Sequence, residues 1–305
     1  MLDPAELFQV EPDLPDLGDP VLVQALAGFI DAGSATRLAR EHLLRAPETR
    51  ALVRFDVDQL FDYRARRPAM MFVHDHWEGY DEPELAVHLL HDGAGTPFLL
   101  LAGPEPDVQW ERFVAAVQMI VAQLGVRLTI GLNAIPMAVP HTRPVGVIAH
   151  GSRSELVSGH ESWINTVQVP ASAGHLLEYR LGQAGHDAMG FAVHVPHYLT
   201  QAEYPDAAVV LVDSVARAGG LVLPTDELRG AATTTRVEID AQVAQSTEIE
   251  AIVRALENQY DAFVAGRGRN LLVDGAAQMP TADELGAELE RFLADQAGHG
   301  DAHDS

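Results

Sequence analysis

Short apolar runs alternate with amphipathic segments along most of the chain. The run from Val21 to Ala27 has the continuous hydrophobicity of a buried strand, and Gly28 follows it. After a short loop, Ser34 is a candidate N-cap for a segment whose apolar residues recur every three or four positions, as on one face of a helix. The first unit is therefore predicted to be a strand, a loop and a helix.

The same order of elements is predicted again further along the chain. An apolar strand over residues 97–102 leads through a proline-rich turn to a helical stripe from Trp110 to Leu124, which Gly125 can end. Similar patterns predict strands over 126–132, 145–149 and 189–195, and helices over 171–181 and 207–218. This alternation favours an α/β fold whose mostly parallel sheet is covered by helices on both faces, with polar loops beyond the carboxyl ends of its strands.

The pattern changes after Pro224, where strands give way to long helical segments. Apolar residues from Ile249 to Phe263 recur every three or four positions, and this stripe would pack either on its own chain or in the groove of a partner. A linker is predicted over 266–270 and a last helix from Thr281. We therefore expect three parts: an α/β core domain (1–225), a helical extension (226–297) and a disordered tail (298–305).

Composition excludes several classes of function. The net charge is −24, with no concentrated basic patch, so binding to a nucleic-acid backbone is disfavoured. Cysteine is absent, which rules out disulfides, thiol catalysis and thiolate metal sites. All 20 basic residues are arginine, so phosphate loops and Schiff-base chemistry that depend on lysine are excluded too.

The N-terminal region is acidic and punctuated by proline, unlike the basic and then apolar start of a secretory signal. No apolar segment approaches the roughly 20 residues that a membrane-spanning helix needs. We therefore expect a cytoplasmic protein without a membrane partner. The use of arginine in place of lysine suggests a GC-rich genome.

Polar side chains in the predicted loops are candidates for a ligand pocket beyond the strand ends. These candidates are Asp31, Glu105, His141, Arg143, His194 and His197. Glycines and prolines that could shape the same loops are Gly28, Gly33, Gly103, Pro104, Pro106 and Pro196. The proposed pocket requires neighbouring strands to be parallel, because only then do these loops lie along one edge.

Each candidate also has a structural interpretation. Asp31 could bind a ligand hydroxyl or amine, or it could cap the following helix or order the turn. Glu105 could be a preorganised acid or a metal ligand, or it could face water or pair with an arginine in a turn that the prolines fix. His141 and Arg143 could bind an anion, or Arg143 could pair with Glu105 or Asp31 while His141 bonds to backbone.

His194 and His197 could bind zinc only with a third ligand, and Pro196 between them breaks the helical geometry of paired zinc histidines. The chain has no HExxH motif and no nucleophile elbow around its serines. We therefore predict no metal and no cofactor, and whether the protein is an enzyme is left open, with a non-catalytic role favoured.

Four segments together resemble bacterial members of the proteasome assembly chaperone family of the second type. They are Ala27–Gly33 (AGFIDAG), Gly103–Asp107 (GPEPD) with Trp110 and Phe113, Ile135–Pro144 (IPMAVPHTRP) and His194–Tyr198 (HVPHY). The resemblance covers residues 20 to about 265 and depends on the order and spacing of all four segments.

The resemblance implies a three-layer core like that of purine nucleoside phosphorylases and related hydrolases, with helices appended at the C-terminus. It also implies self-association, expected as a homotrimer, and an actinobacterial source. Tail docking to a proteasome is disfavoured, because docking tails end in a hydrophobic residue, a tyrosine and any residue, whereas this chain ends His303-Asp304-Ser305.

Two functions follow as hypotheses. The first is an oligomeric protein-interaction or assembly factor without classical catalysis. The second is an enzyme or small-ligand sensor with a pocket at the carboxyl ends of the strands.

Overall fold

The computed structural model describes residues 2–160 and 166–267, which contain ten strands and six α-helices. The strands are β1 (Phe8–Val10), β2 (Val21–Ala27), β3 (Arg50–Phe55), β4 (Met70–Val73), β5 (His76–Tyr80), β6 (Ala86–His91), β7 (Pro97–Pro104), β8 (Leu128–Met137), β9 (Val147–Gly151) and β10 (Ala188–Pro196). The helices are α1 (Ala35–Leu44), α2 (Trp110–Gln123), α3 (Ala173–Gln183), α4 (Pro205–Gly219), α5 (Asp226–Val243) and α6 (Thr247–Arg267).

Eight of these strands form one sheet in the order β1-β3-β6-β7-β2-β8-β10-β9. The four central strands β7, β2, β8 and β10 are parallel, and their register aligns Leu22 with Leu99 on one side and with Thr129 on the other. Antiparallel strands extend the sheet at both edges. The expected α/β fold is therefore confirmed, with its parallel part at the centre of a mixed sheet.

Helices cover both faces of the sheet, which makes three layers. On β2, Val21, Val23 and Ala25 face the side where α1 and α4 pack, while Leu22 and Leu26 face the side of α2 and α3. Successive strand residues point to opposite faces, so a strand buried on both faces must be apolar at almost every position. This explains why the sequence predicted all four central strands.

Several boundaries differ from the sequence-based expectation. Strand β8 begins at Leu128 rather than at Val126, because the Val126 amide still donates to the Val121 carbonyl at the end of α2. The antiparallel strands β1, β3 and β6 were not predicted, nor was the separate hairpin of β4 and β5. In β3, arginines at both 50 and 54 interrupt the apolar pattern on which a strand prediction depends.

The helices expected after Pro224 are α5 and α6. Leu228 and Ile239 of α5 are buried in the core on the α4 side of the sheet. The predicted linker was wrong at its start, because Gly266 and Arg267 belong to α6. The rest of that linker, the helix from Thr281 and the tail lie outside the described residues, so the division into three parts stays a prediction. None of the described helices is long and apolar enough to cross a bilayer.

Candidate functional site

A cavity of about 310 Å³ lies on the α3 side of the sheet, towards the carboxyl ends of β2, β8 and β10. Strand residues Gln24, Asn133 and Ala192 line it, and the first turns of α3 form one wall. Exposed apolar side chains surround it: Phe29, Ile30, Val167 and Val169. The cavity therefore combines a polar interior with an apolar rim, which is typical of small-molecule sites.

Three glycines leave room for the polar side chains of the cavity. A Cβ atom on Gly190 would lie 2.4 Å from Cε1 of His150 and 2.9 Å from Oε2 of Glu178. On Gly174 it would lie 2.7 Å from the side-chain nitrogen of Gln24, and on Gly131 it would lie 3.0 Å from the side-chain oxygen of the same residue. Larger residues at these positions would displace the groups that define the site.

Of the six polar side chains predicted from the sequence, Glu105 alone is among the described residues that line the cavity, and the predicted loop glycine Gly28 lines it too. Its backbone amide donates to the Ala27 carbonyl where β7 ends, and its Oε1 accepts from the Ala173 amide at the start of α3, at 2.5 Å. Burial raises the pKa of Glu105, and the bond from Ala173 offsets part of that effect because it favours the ionised form. Glu105 therefore joins the end of β7 to the N-terminus of α3.

Two further contacts, each between a histidine and another polar side chain, lie in the polar interior. None of these four residues was predicted from the sequence. His150 Nδ1 lies 2.8 Å from Glu178 Oε1, and His175 Nε2 lies 3.3 Å from the Asn133 side-chain nitrogen. Burial lowers the pKa of His175, and the nearby His150 lowers it further. One signal was available: His175 and Glu178 are three residues apart, which places them on the same face of a helix.

His141 and Arg143 lie away from the cavity and bind the C-terminal helices. The buried His141 contacts the Tyr198 hydroxyl through Nδ1 at 2.7 Å and Asp240 of α5 through Nε2 at 3.1 Å. Arg143 donates to both carboxylate oxygens of Asp261 in α6, at 2.8 and 2.7 Å.

These contacts correct the structural alternative proposed for the pair. Arg143 pairs with acids of α6, Asp261 and Glu257, instead of Glu105 or Asp31. The hydrogen bond to Asp261 raises the pKa of Arg143 further above its usual range. His141 bonds to two side chains, and only its own backbone amide, which donates to Tyr198, takes part in a backbone contact.

The remaining candidates occupy structural positions in the same group of loops. Asp31 accepts from the amides of Thr36 and Arg37 at the start of α1, at 2.8 and 2.9 Å. His194 is buried so close to the backbone at Gly146 that a Cβ there would lie 2.6 Å from its Nδ1. The ring of His197 packs against Tyr198 with centroids 5.4 Å apart, and burial lowers the pKa of His197.

Two of the predicted loop glycines have backbone angles that favour glycine. Gly33 has φ of 64°, and a Cβ there would lie 2.8 Å from Cβ of Tyr204. Gly103 has φ of 138°, and a Cβ there would lie 2.4 Å from the Glu84 carbonyl oxygen. The loops therefore meet at one edge of the sheet, while their candidate side chains point to different surroundings.

A family model for the PAC2 family matches residues 25–243. The chain belongs to the PAC2 family. Among solved structures it is 51% identical to Rv2714, a Mycobacterium tuberculosis protein of unknown function, with a TM-score of 0.82 over 85% of this chain and 92% of that one. A Corynebacterium glutamicum protein of unknown function is 38% identical, with a TM-score of 0.81 over 85% and 98%.

A PAC2 family protein from Streptomyces avermitilis is 27% identical, with a TM-score of 0.68 over 77% of this chain and all of that one. No curated protein sequence matches significantly. The family match extends from within β2 to the end of α5, so it includes the first of the two C-terminal helices and every cavity-lining residue except Gln24, which directly precedes it.

The polar side chains that line this PAC2 cavity are carboxylic acids, histidines and uncharged groups. Its carboxyl groups are Glu105 and Glu178, and none of the described residues that line it is an arginine. No group of three or more histidine or carboxylate side chains in residues 2–160 and 166–267 is arranged to hold a metal ion. The site therefore has hydrogen-bonding groups for an uncharged or cationic ligand.

Proposed function

We propose that this PAC2 protein is an oligomeric protein-interaction or assembly factor that self-associates through the hairpin of β4 and β5. The observation that supports this most directly is the exposure of large apolar side chains on the hairpin. Met71 and Trp77 are each 62% exposed, and Phe72 is 56% exposed. Large exposed apolar side chains of this kind are characteristic of protein–protein contacts.

The structure of the hairpin also leaves these side chains exposed. Its two strands form a sheet of their own, separate from the eight-stranded sheet. The centroids of the Phe72 and Trp77 rings lie 5.0 Å apart in an edge-to-face arrangement, a favourable geometry for an aromatic pair. A rigid aromatic pair loses little conformational entropy on binding, so it suits an interface.

Distant relatives make an assembly role reasonable. A Mycobacterium tuberculosis protein described as a proteasome-assembly chaperone homologue, Rv2125, is 24% identical to this chain, and a Pyrococcus furiosus protein described as an archaeal proteasome activator is 15% identical. These identities establish a shared fold only. That this chain acts in assembly is therefore a proposal. We further propose a homotrimer in an actinobacterial cytoplasm.

Light scattering coupled to size-exclusion chromatography tests self-association. The wild-type chain should elute with a mass of three chains, and the double variant Phe72→Ser, Trp77→Ser should elute as a monomer with unchanged circular dichroism. The matched control is Val237→Ser, which removes a 65% exposed valine from α5, far along the chain from the hairpin. A monomeric wild type, or a double variant that remains a trimer, would contradict the proposal.

The cavity favours ligand sensing as a second candidate function. Its volume of about 310 Å³ and its buried Glu105 are features of a binding site, and they do not depend on the hairpin. A regulatory ligand and an assembly role are compatible within one protein.

A further inference from the structure

Gln24 is a residue of low overall exposure whose side-chain amide makes no hydrogen bond within the described residues and reaches the open space of the cavity. It lies in the middle of β2, between two apolar neighbours, and only 7% of it is exposed. Its side chain lines the cavity between Gly131 and Gly174. Because no described residue occupies the donor or the acceptor of this amide, a ligand in the cavity can pair with both.

Two other polar groups face the same cavity. Oε1 of Glu105 is bonded to the Ala173 amide, and Oε2 lies 3.1 Å from where a Cβ on Gly28 would be. The Thr36 residue is only 3% exposed, and its hydroxyl makes no hydrogen bond within the described part of the chain. Together with Gln24, these groups can both donate and accept hydrogen bonds.

The charge of the cavity argues against an anionic ligand. Glu105 and Glu178 line it, and Arg66, an arginine with an electrostatic effect on Glu105, is already paired with Asp107 at 2.8 Å. A carboxylate or phosphate in the cavity would therefore meet acidic groups without an arginine to compensate them, while His150 is already paired with Glu178 and burial lowers the pKa of His175.

We propose that the cavity binds a small uncharged amide or amino-heterocycle, whose adjacent donor and acceptor pair with the side-chain amide of Gln24. A carboxamide presents an N–H beside a C=O, and a ligand with the complementary edge satisfies both groups at once. The apolar rim formed by Phe29, Ile30, Val167 and Val169 covers the body of such a ligand. Its volume suits a single ring with a short substituent.

This inference is independent of the proposed assembly role. The hairpin residues Phe72 and Trp77 do not line the cavity. The variant that removes both aromatic rings from the hairpin should therefore bind the ligand as the wild type does, and failure of either proposal leaves the other intact.

Isothermal titration with matched probe pairs tests the ligand class. Nicotinamide and benzamide carry the proposed edge, whereas nicotinate and benzoate replace the amide with a carboxylate of the same shape. The wild-type protein should bind at least one of the two amides saturably, and the matching acid about tenfold more weakly or not at all. The proposal is overturned if neither amide saturates, or if an acid binds as well as its amide.

Variants of Gln24 test the contact itself. Gln24→Glu keeps the shape but removes the donor and adds a charge, so amide binding should weaken by about tenfold or more. Gln24→Met removes both hydrogen-bonding groups and should have a similar effect. Gln9→Glu, the same substitution on exposed β1, should bind like the wild type. Unchanged affinity in either folded Gln24 variant would refute the contact.

A measurement on the wild type remains informative if both variants fail to fold. The side-chain amide protons of Gln24 should shift in a nitrogen–proton correlation spectrum as the bound amide probe is titrated in. They should stay in place when the matching acid is added at the same concentration. An amide probe that binds without moving these resonances would overturn the assignment of Gln24.

Discussion

A methyl group on Gly190 would overlap two side chains of the cavity. A Cβ there would lie within 2.4 Å of His150 and 2.9 Å of Glu178, both of which line the cavity. Such distances are far below van der Waals contact, so the two side chains or the strand must move. The glycine is therefore a requirement of packing and not of backbone angle.

Gly190→Ala should destabilise the protein by about 1–3 kcal/mol, because overpacking at a buried position forces its neighbours out of place. Gly230→Ala is the matched control, because a Cβ at this exposed position in α5 would meet nothing within 4 Å. It should stabilise the protein by about 0.5–1 kcal/mol, since alanine favours a helix over glycine. Urea unfolding measures both, and equal effects of the two variants would contradict the packing argument.

Glu105 makes stability depend on pH. Burial raises its pKa in the folded protein above the ordinary value of 4.5, so the folded state holds this proton more tightly than the unfolded chain does. Its contribution to stability is full below the unfolded pKa and is lost as pH rises through the folded pKa.

Glu105→Gln removes this titration and keeps an oxygen that can accept from the Ala173 amide. The variant should therefore gain stability relative to the wild type as pH rises from about 4 to about 7. Denaturant unfolding across this range measures the difference, with the exposed Glu82→Gln as control. If the stability of Glu105→Gln relative to the wild type stays constant or falls with rising pH, the pKa of Glu105 is not raised in the folded protein.

At the scale of whole elements, the loop between β8 and β9 holds the two C-terminal helices. His141 contacts Asp240 of α5, and Arg143 contacts Asp261 of α6. Helix α6 adds two buried apolar side chains, Val253 and Leu256, while most of its other described residues are exposed. Because so little apolar surface is buried, polar contacts form a large share of its attachment.

Arg143→Met should loosen α6 without unfolding the sheet. Hydrogen exchange should become faster over residues 247–267, while the central strands β2 and β8 keep their protection, since their burial does not depend on α6. Arg254→Met is the matched control, because Arg254 pairs with Glu250 inside α6 and not with the loop. Equal effects of the two variants on exchange in α6 would contradict an anchoring role for Arg143.

At the scale of the whole molecule, net charge and exposed apolar surface have opposite effects on self-association. Each chain carries a net charge of −24, which opposes the approach of identical copies. The exposed hairpin with Phe72 and Trp77 supplies the attraction that the proposed oligomer needs. Association should therefore depend on how well salt screens the repulsion between chains.

Raising the salt concentration from about 0.02 to about 0.5 M should strengthen self-association several-fold, because screening shortens the range of the repulsion to well below 10 Å. Sedimentation equilibrium at both concentrations measures the association constant. The monomeric hairpin variant, Phe72→Ser with Trp77→Ser, should remain a monomer at both. Weaker association of the wild type in high salt would indicate that ion pairs hold the copies together instead.

Sequence alone located the buried part of the fold well. The central strand β2 was predicted with its observed boundaries, Val21–Ala27, because a strand buried on both faces needs apolar residues at nearly every position. The edge strand β9 was predicted two residues early, over 145–149, whereas β1, β3 and β6 escaped prediction, and β3 carries arginines on its solvated positions. Local pattern is therefore informative where burial is complete and weak where it is partial.

What the sequence determined by itself was the alternation of strands and helices, the family resemblance and the edge of the sheet where polar loops gather. Only the tertiary structure decided which side chains meet there. Arg143 finds its partner 118 residues away in α6, and Gln24 lies between Gly131 and Gly174, which distant segments bring together. Helices and strands that bury an apolar face show a periodic pattern of apolar residues, which can be seen in the local sequence. Polar contacts between distant residues depend on how the helices and strands pack, which the local sequence does not show.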